Sequence, residues 1–135
     1  MKLIPYILFN GNAEEALNFY AGALGGNIAM ISRYSEAPMP HDEADKNKIM
    51  HSRLVFDDNM IMISDCPPDR YPGPAGSIQL SVSVDDLIKL ESVFNNMAAG
   101  GTITMPLADQ FWGARFGMLK DKFGIDWMFN CELKK

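Results

Sequence analysis

His51 and Arg53 stand two residues apart in a run, 49–56, that reads as a strand, so an extended backbone turns both side chains to one face, with Leu54 and Phe56 on the other. A neutral imidazole at His51 could act as a general base or bind a ligand oxygen. The structural alternative is a histidine hydrogen-bonded at a sheet edge. Gln79, Ser81 and Ser83 form a second polar stripe at period two. Burying such groups unpaired costs about 1–3 kcal/mol each, which assigns this stripe to solvent, a cleft or a partner chain. A third group lies in 109–129, where Phe111, Trp112 and Gly113 are followed by Arg115. The two aromatics could stack on a flat apolar ligand, and the guanidinium could clamp a carboxylate or phosphate-like anion with two hydrogen bonds. Their alternatives are core packing for the rings and an ion pair to Asp109, Asp121 or Asp126 for Arg115.

These residues depend on strands and helices to place them. Residues 2–9 suit a first strand, and Asn12 with Glu15 has the spacing of a capping box. Ala13, Ala16, Leu17, Tyr20 and Leu24 then recur at helical spacing up to Gly25-Gly26. Residues 27–34 read as a strand, 35–48 as a long, mobile polar loop, and 49–56 with 60–65 as a hairpin about Asp57-Asp58-Asn59. The pattern restarts after a proline-rich linker. Residues 77–84 alternate, Asp85 caps a helix carrying Leu87, Leu90, Phe94 and Met97, and Gly100-Gly101 closes it. Residues 102–105 and a hairpin within 109–129, turning at Asp121-Lys122-Phe123-Gly124, complete the second half. The organisation is β-α-β-β-β twice, an α+β architecture with module one at 1–66, a linker at 67–76 and module two at 77–135. A ferredoxin-like sandwich would need fewer strands per half.

Composition narrows the function. The chain has 135 residues, 47% of them hydrophobic and 21% charged, which suits a globular fold. A net charge of -5 and the absence of a lysine or arginine block argue against nucleic acid as a partner. No apolar run nears the roughly 20 residues of a membrane span. Residues 1–8, interrupted by Pro5, are too short for a signal peptide, and the expected compartment is a reducing cytoplasm. A chain of this size can build a core without a disulfide, so none is expected between Cys66 and Cys131, and neither has the CxxC partner of a thiol redox site or zinc knuckle. His41, among Asp42, Glu43 and Asp45, reads as a solvated histidine. The ten methionines include Met30, Met60, Met62, Met118 and Met128 on expected strands, where they fill a core or soften a binding surface.

Residues 10–16 (NGNAEEA), Phe19-Tyr20, Gly25-Gly26, Ser64-Asp65, the segment FWGARFG at 111–117, Asp121, Phe123-Gly124 and Trp127 resemble the PhnB-like group. That group lies within the glyoxalase, bleomycin-resistance and extradiol-dioxygenase superfamily, the vicinal oxygen chelate fold. The resemblance implies two curved four-stranded sheets around a cleft, helices on the outer faces, a homodimer and a small organic ligand. Metal-dependent members place four donors on the first and fourth strands of the two modules. The corresponding positions here fall at or near Pro5, within 62–64 where only a serine hydroxyl is offered, at Gln79 and at Met128. Gln79 is the one weak metal candidate, so a divalent metal is disfavoured and no cofactor is expected. Members are sometimes labelled demethylubiquinone methyltransferases, yet the sequence has no glycine-rich nucleotide loop. The expectation is a small-molecule-binding protein or enzyme of unassigned substrate, with Arg53, Gln79, Ser81 and Met128 in the cleft. Phe111, Trp112 and Arg115 join them, and His51 is the catalytic candidate. The alternatives are a metal-dependent lyase, dioxygenase or transferase, and a drug-sequestering protein of bleomycin-resistance type.

Overall fold

A computed structural model describes residues 1–38, 40–74 and 76–134. Strand β1 (Tyr6–Phe9) leads into helix α1 (Ala13–Leu24), followed by β2 (Asn27–Arg33), β3 (Ile49–Phe56) and β4 (Asn59–Asp65). The order then repeats as β5 (Leu80–Ser83), α2 (Leu87–Ala98), β6 (Thr102–Asp109), β7 (Ala114–Lys120) and β8 (Asp126–Glu132). Each set forms a four-stranded sheet, in the order β1-β4-β3-β2 or β5-β8-β7-β6. The pairs β1/β4 and β5/β8 are parallel and the remaining neighbours antiparallel. The fold is therefore α+β, built from two β-α-β-β-β modules. The chain divides into compact units Met1–Pro72 and Gly73–Lys135.

In each unit the helix covers one face of its own sheet. Ala16, Leu17 and Tyr20 of α1 are buried with Ile7, Phe9, Leu54, Ile61 and Ile63 of the strands. Leu90, Phe94 and Met97 of α2 are likewise buried with Leu119, Trp127 and Phe129, and the Phe94 and Phe129 rings meet edge to face at 5.7 Å. Full burial of each large apolar side chain stabilises the fold by about 1.5–3 kcal/mol. Strand alternation then leaves the opposite face of each sheet uncovered by its helix.

Several local expectations change in the folded chain. Asn12 makes no side-chain cap on α1. Asp65 caps it instead, its Oδ1 accepting from the backbone N–H groups of Gly11 and Ala13, each at 2.9 Å. Asp86 rather than Asp85 caps α2, accepting from the Lys89 N–H at 2.8 Å. Strand β6 runs to Asp109, well past 105, because it lies at the sheet edge, where Pro106 needs no ladder partner. Register shifts between Ile103 and Met105 and between Met105 and Ala108 accompany this proline. Strand β5 begins only at Leu80, opposite Trp127 near the start of β8, which leaves Gln79 just outside the strand. The 35–48 segment is anchored at its base, where Tyr34 and Ser35 donate backbone hydrogen bonds to Lys48 and Lys46, and it contains the 3-10 turn Glu43–Asp45.

The two Gly-Gly pairs serve one purpose in both units. Gly25 and Gly100 take left-handed φ values of 70° and 75° to end their helices. The second glycine passes against a neighbouring strand end. A Cβ on Gly26 would lie 2.9 Å from the Val55 carbonyl oxygen, and one on Gly101 would fall onto that of Lys120. Gly101→Ala should therefore destabilise the protein by about 2 kcal/mol or more in urea unfolding. Gly22→Ala, mid-helix in open space, should stabilise it by about 0.5–1 kcal/mol. A neutral Gly101→Ala would refute the close approach.

Candidate functional site

Register identifies what the uncovered faces carry. In the first sheet Tyr6 pairs with Met62, Met62 with Arg53 and Arg53 with Met30, so these four form one row across the strands. His51 lies two residues before Arg53 on the same face. The Tyr6 hydroxyl and His51 Nδ1 are 3.0 Å apart, with ring centroids at 5.7 Å. Which partner donates depends on the imidazole tautomer. Arg53 is exposed and makes no ion pair among the described residues. His51 and Arg53 thus share a face, as their spacing predicts, and Tyr6 joins them. The all-apolar run at 6–9 gave no sign of which face Tyr6 takes, and its partner lies 45 positions away.

The second sheet repeats the row with different chemistry. Ser81 pairs with Met128, Met128 with Met118 and Met118 with Met105. The next row holds Ser83, Asn130, Phe116 and Ala108. Ser81 and Met128 therefore sit side by side on the open face, and Gln79 is exposed just ahead of the strand. Phe111 and Trp112 occupy the β6–β7 turn, 97% and 53% exposed, so neither is a core residue. Trp112 lies edge-on to Phe111 at 5.2 Å and to Phe116 at 5.8 Å, which extends the apolar surface of that row.

Arg115 differs from the clamp expectation. It pairs with Cys131 and Asp109 in register, and it shares its face with Gly117, where a Cβ would strike Phe94 of α2. Its Nε donates to Asp109 at 2.8 Å and its Nη1 to Glu91 of α2 at 3.2 Å. The guanidinium belongs to the helix-covered side and already holds two carboxylates. The Arg115 hydrogen bond keeps Asp109 below the usual carboxylate range.

The carboxyl end of β4 is the other polar centre of the first unit. Asp65 is 3% exposed, its Oδ2 accepts from the Ile49 N–H at 3.0 Å, and its carbonyl accepts from the Tyr34 hydroxyl at 2.7 Å. Burial, followed by the negative charge of Asp65, raises the Tyr34 phenol above its ordinary value. Burial also pushes up the Cys66 thiol, and both cysteines are free.

Comparison with known proteins fits this architecture. Residues 1–129 match the family described as 3-demethylubiquinone-9 3-methyltransferase. The chain belongs to this PhnB-like family. It is 29% identical to Protein YjdN of Escherichia coli over 96% of this chain and 95% of that one. The structure of protein PA1353 from Pseudomonas aeruginosa superposes with a TM-score of 0.90 at 40% identity, covering 99% of both chains. The PhnB protein from Bacillus cereus gives 0.78 at 28% identity, covering 97% of this chain and 99% of that one. At the level of fold alone, a glyoxylase/bleomycin resistance protein/dioxygenase domain from Frankia sp. scores 0.70 at 14% identity, over 99% and 93%. No helix among the described residues is long and apolar enough to cross a membrane.

The superfamily's metal does not fit the residues of this PhnB-like chain. Pro5 offers only its carbonyl, which accepts from the Met62 N–H at 2.9 Å. Met62 and Met128 present thioethers on the open faces, and Ser64 is buried. Among the described residues, no three His, Cys, Asp or Glu side chains converge on a point. Thioethers, one amide and a serine are poor donors for a hard or borderline divalent ion.

The raised Tyr34 pKa has a consequence for alkaline stability. The folded value lies above the unfolded one, so the contribution is fully present below about pH 10 and is lost as pH rises through the folded pKa. Tyr34→Phe should flatten that alkaline loss in denaturant titrations between neutral pH and pH 11. An unchanged slope would show that another group controls it.

Proposed function

We propose that this PhnB-like protein binds a small organic anion with an apolar body on the open face of its first sheet, without a metal centre. The observation that carries this reading is Arg53, a guanidinium without an ion pair among the described residues, in one row with Tyr6, Met62 and Met30. Arg53 offers a planar fork to a carboxylate or phosphonate. Met62 and Met30 flank it with adaptable thioethers for the apolar portion. Tyr6 stands two strands from Arg53, roughly 10 Å away, close enough for its pair with His51 to meet a second polar group of the same ligand. In the tautomer whose Nδ1–H donates to the phenol oxygen, Nε2 is left to accept a ligand proton or hydrogen bond, and in the other tautomer Nε2–H donates one to the ligand. The same arrangement serves an enzyme or a sequestering protein. The exposed Phe111 and Trp112, beside Phe116, favour stacking on a flat ligand in the second unit. A methyl-transfer role, which the family's description names, has less support. Among the described residues each unit has one parallel strand pair and no doubly wound sheet.

A thermal-shift titration with benzoate and phenylphosphonate tests the anion site. Arg53→Ala should weaken binding roughly tenfold or more, because hydrogen bonds to charged groups contribute about 1.5–3 kcal/mol. Arg115→Ala should leave the ligand-induced shift intact. The opposite pattern would move the site to the second unit. Protein dialysed after exposure to nickel or zinc should retain well under one equivalent of metal, and stoichiometric retention would defeat the metal-free reading.

We also propose a homodimer, because Tyr6, Leu8, Met30 and Met105 expose apolar surface on the open faces, and a reducing cytoplasm, with which the two free cysteines agree. Light scattering should give about 30 kDa, twice the chain's 15.0 kDa, and a monomeric mass would exclude the dimer.

A further inference from the structure

Beyond the carboxyl end of β4, beneath the segment that joins β2 to β3, the first unit contains a groove of about 310 Å³. Its apolar walls are the rings of Tyr34 and His41 with Pro40 and Pro67, and the Cys66 thiol lies in the wall at the end of β4. We propose that this groove binds a small organic cation carrying a flat apolar body, independently of the anion site at Arg53.

Shape and charge both favour that class. The Tyr34 and His41 ring centroids are 6.5 Å apart with planes inclined by 43°, which makes a wedge open to a planar group. The volume lies near the lower end of the range for ligand pockets, about 300–1,000 Å³, and suits a one-ring ligand. Three carboxylates, Asp42, Asp45 and Asp65, line the groove against one ammonium, Lys48. Lys48 is already committed to Asp45 at 2.7 Å, and Asp65 to three backbone N–H groups. Asp42 makes no ion pair among the described residues, so it is the carboxylate left to neutralise a bound cation. After burial, negative charge at Asp65 and Asp45 raises the Tyr34 phenol above its ordinary value, in the same sense as the carboxylate lining. A cation seated over the Tyr34 face would gain from the ring quadrupole, whereas an anion would meet the excess carboxylates. The Cys66 thiol donates to the Phe9 carbonyl, and burial raises its pKa, so at neutral pH it acts as wall rather than nucleophile.

Cys66 also supplies the test. N-ethylmaleimide is uncharged and should label the partly exposed Cys66 before Cys131, which is 2% exposed. Benzamidinium should slow Cys66 labelling, followed by intact mass and peptide mapping, while benzoate at the same concentration should not. Asp42→Asn should raise the half-protecting benzamidinium concentration roughly threefold to fivefold, as expected for a partly exposed ion pair. Arg53→Ala should leave protection unchanged, which separates failure here from failure of the anion site. Calorimetric titration of wild type and Asp42→Asn with benzamidinium makes the same comparison without the thiol. Equal protection by both probes, no binding of benzamidinium by either method, or indifference to Asp42→Asn would overturn the proposal.

Discussion

The Asp65 carboxylate is the interaction on which the first unit most depends. A buried carboxylate is costly unless its oxygens are satisfied, and Asp65 satisfies them with backbone N–H groups from three places. Gly11 and Ala13 lead into α1, and Ile49 opens β3, so one side chain at the end of β4 secures the helix entry and the neighbouring strand. The Tyr34 hydroxyl adds the end of β2 through the Asp65 carbonyl. The strand ends and the loops above them are held in one arrangement, and the proposed cation groove is the space left among them. In the second unit Asp121 plays a comparable part within a single turn. Its carboxylate accepts from the N–H groups of Phe123 and Ile125 and from Trp127 Nε1 at 2.9 Å.

The sheets then separate structure from function by face. On the covered side, alternation brings Leu54, Ile61 and Ile63 or Leu119, Trp127 and Phe129 against a helix. On the other side it presents Tyr6, Met62 and Arg53 in one unit and Ser81, Met128 and Met118 in the other. The repeat preserves this geometry while the residues diverge: Met62 and Met128 hold equivalent places beside the first strand of each unit, and Tyr6 corresponds to Ser81. Thioethers at these positions alter the available chemistry. A carboxylate or imidazole there would favour a cation, whereas methionine favours the apolar body of an organic ligand.

Arg115 shows how a motif can be legible while its role is not. The segment at 111–117 carries part of the family resemblance, and its glycines and aromatics place a turn correctly between β6 and β7. Yet the guanidinium points to the side of α2, since Arg115 shares parity with Leu119 and Gly117. Strand alternation could have raised that assignment, but deciding which parity meets the helix required Glu91, 24 positions earlier. The capping box at Asn12 and Glu15 was similarly plausible as a local pattern. It lost to Asp65, more than fifty residues away, because a buried carboxylate can serve two donors at that helix entry.

By itself, the sequence determined the order of elements, their division into two repeated halves and the Gly-Gly helix ends, because periodicity and backbone freedom act over a few residues. The resemblance it carries also implied metal positions at or near Pro5, within 62–64, at Gln79 and at Met128, a set with few donors. The tertiary structure alone decided that Tyr6 meets His51, that Arg53 lacks an ion pair among the described residues while Arg115 has two, and that Asp65 caps α1. Each of those outcomes depends on which strands become neighbours, and a hydrogen bond across 24 to 54 positions leaves no periodic trace in the chain.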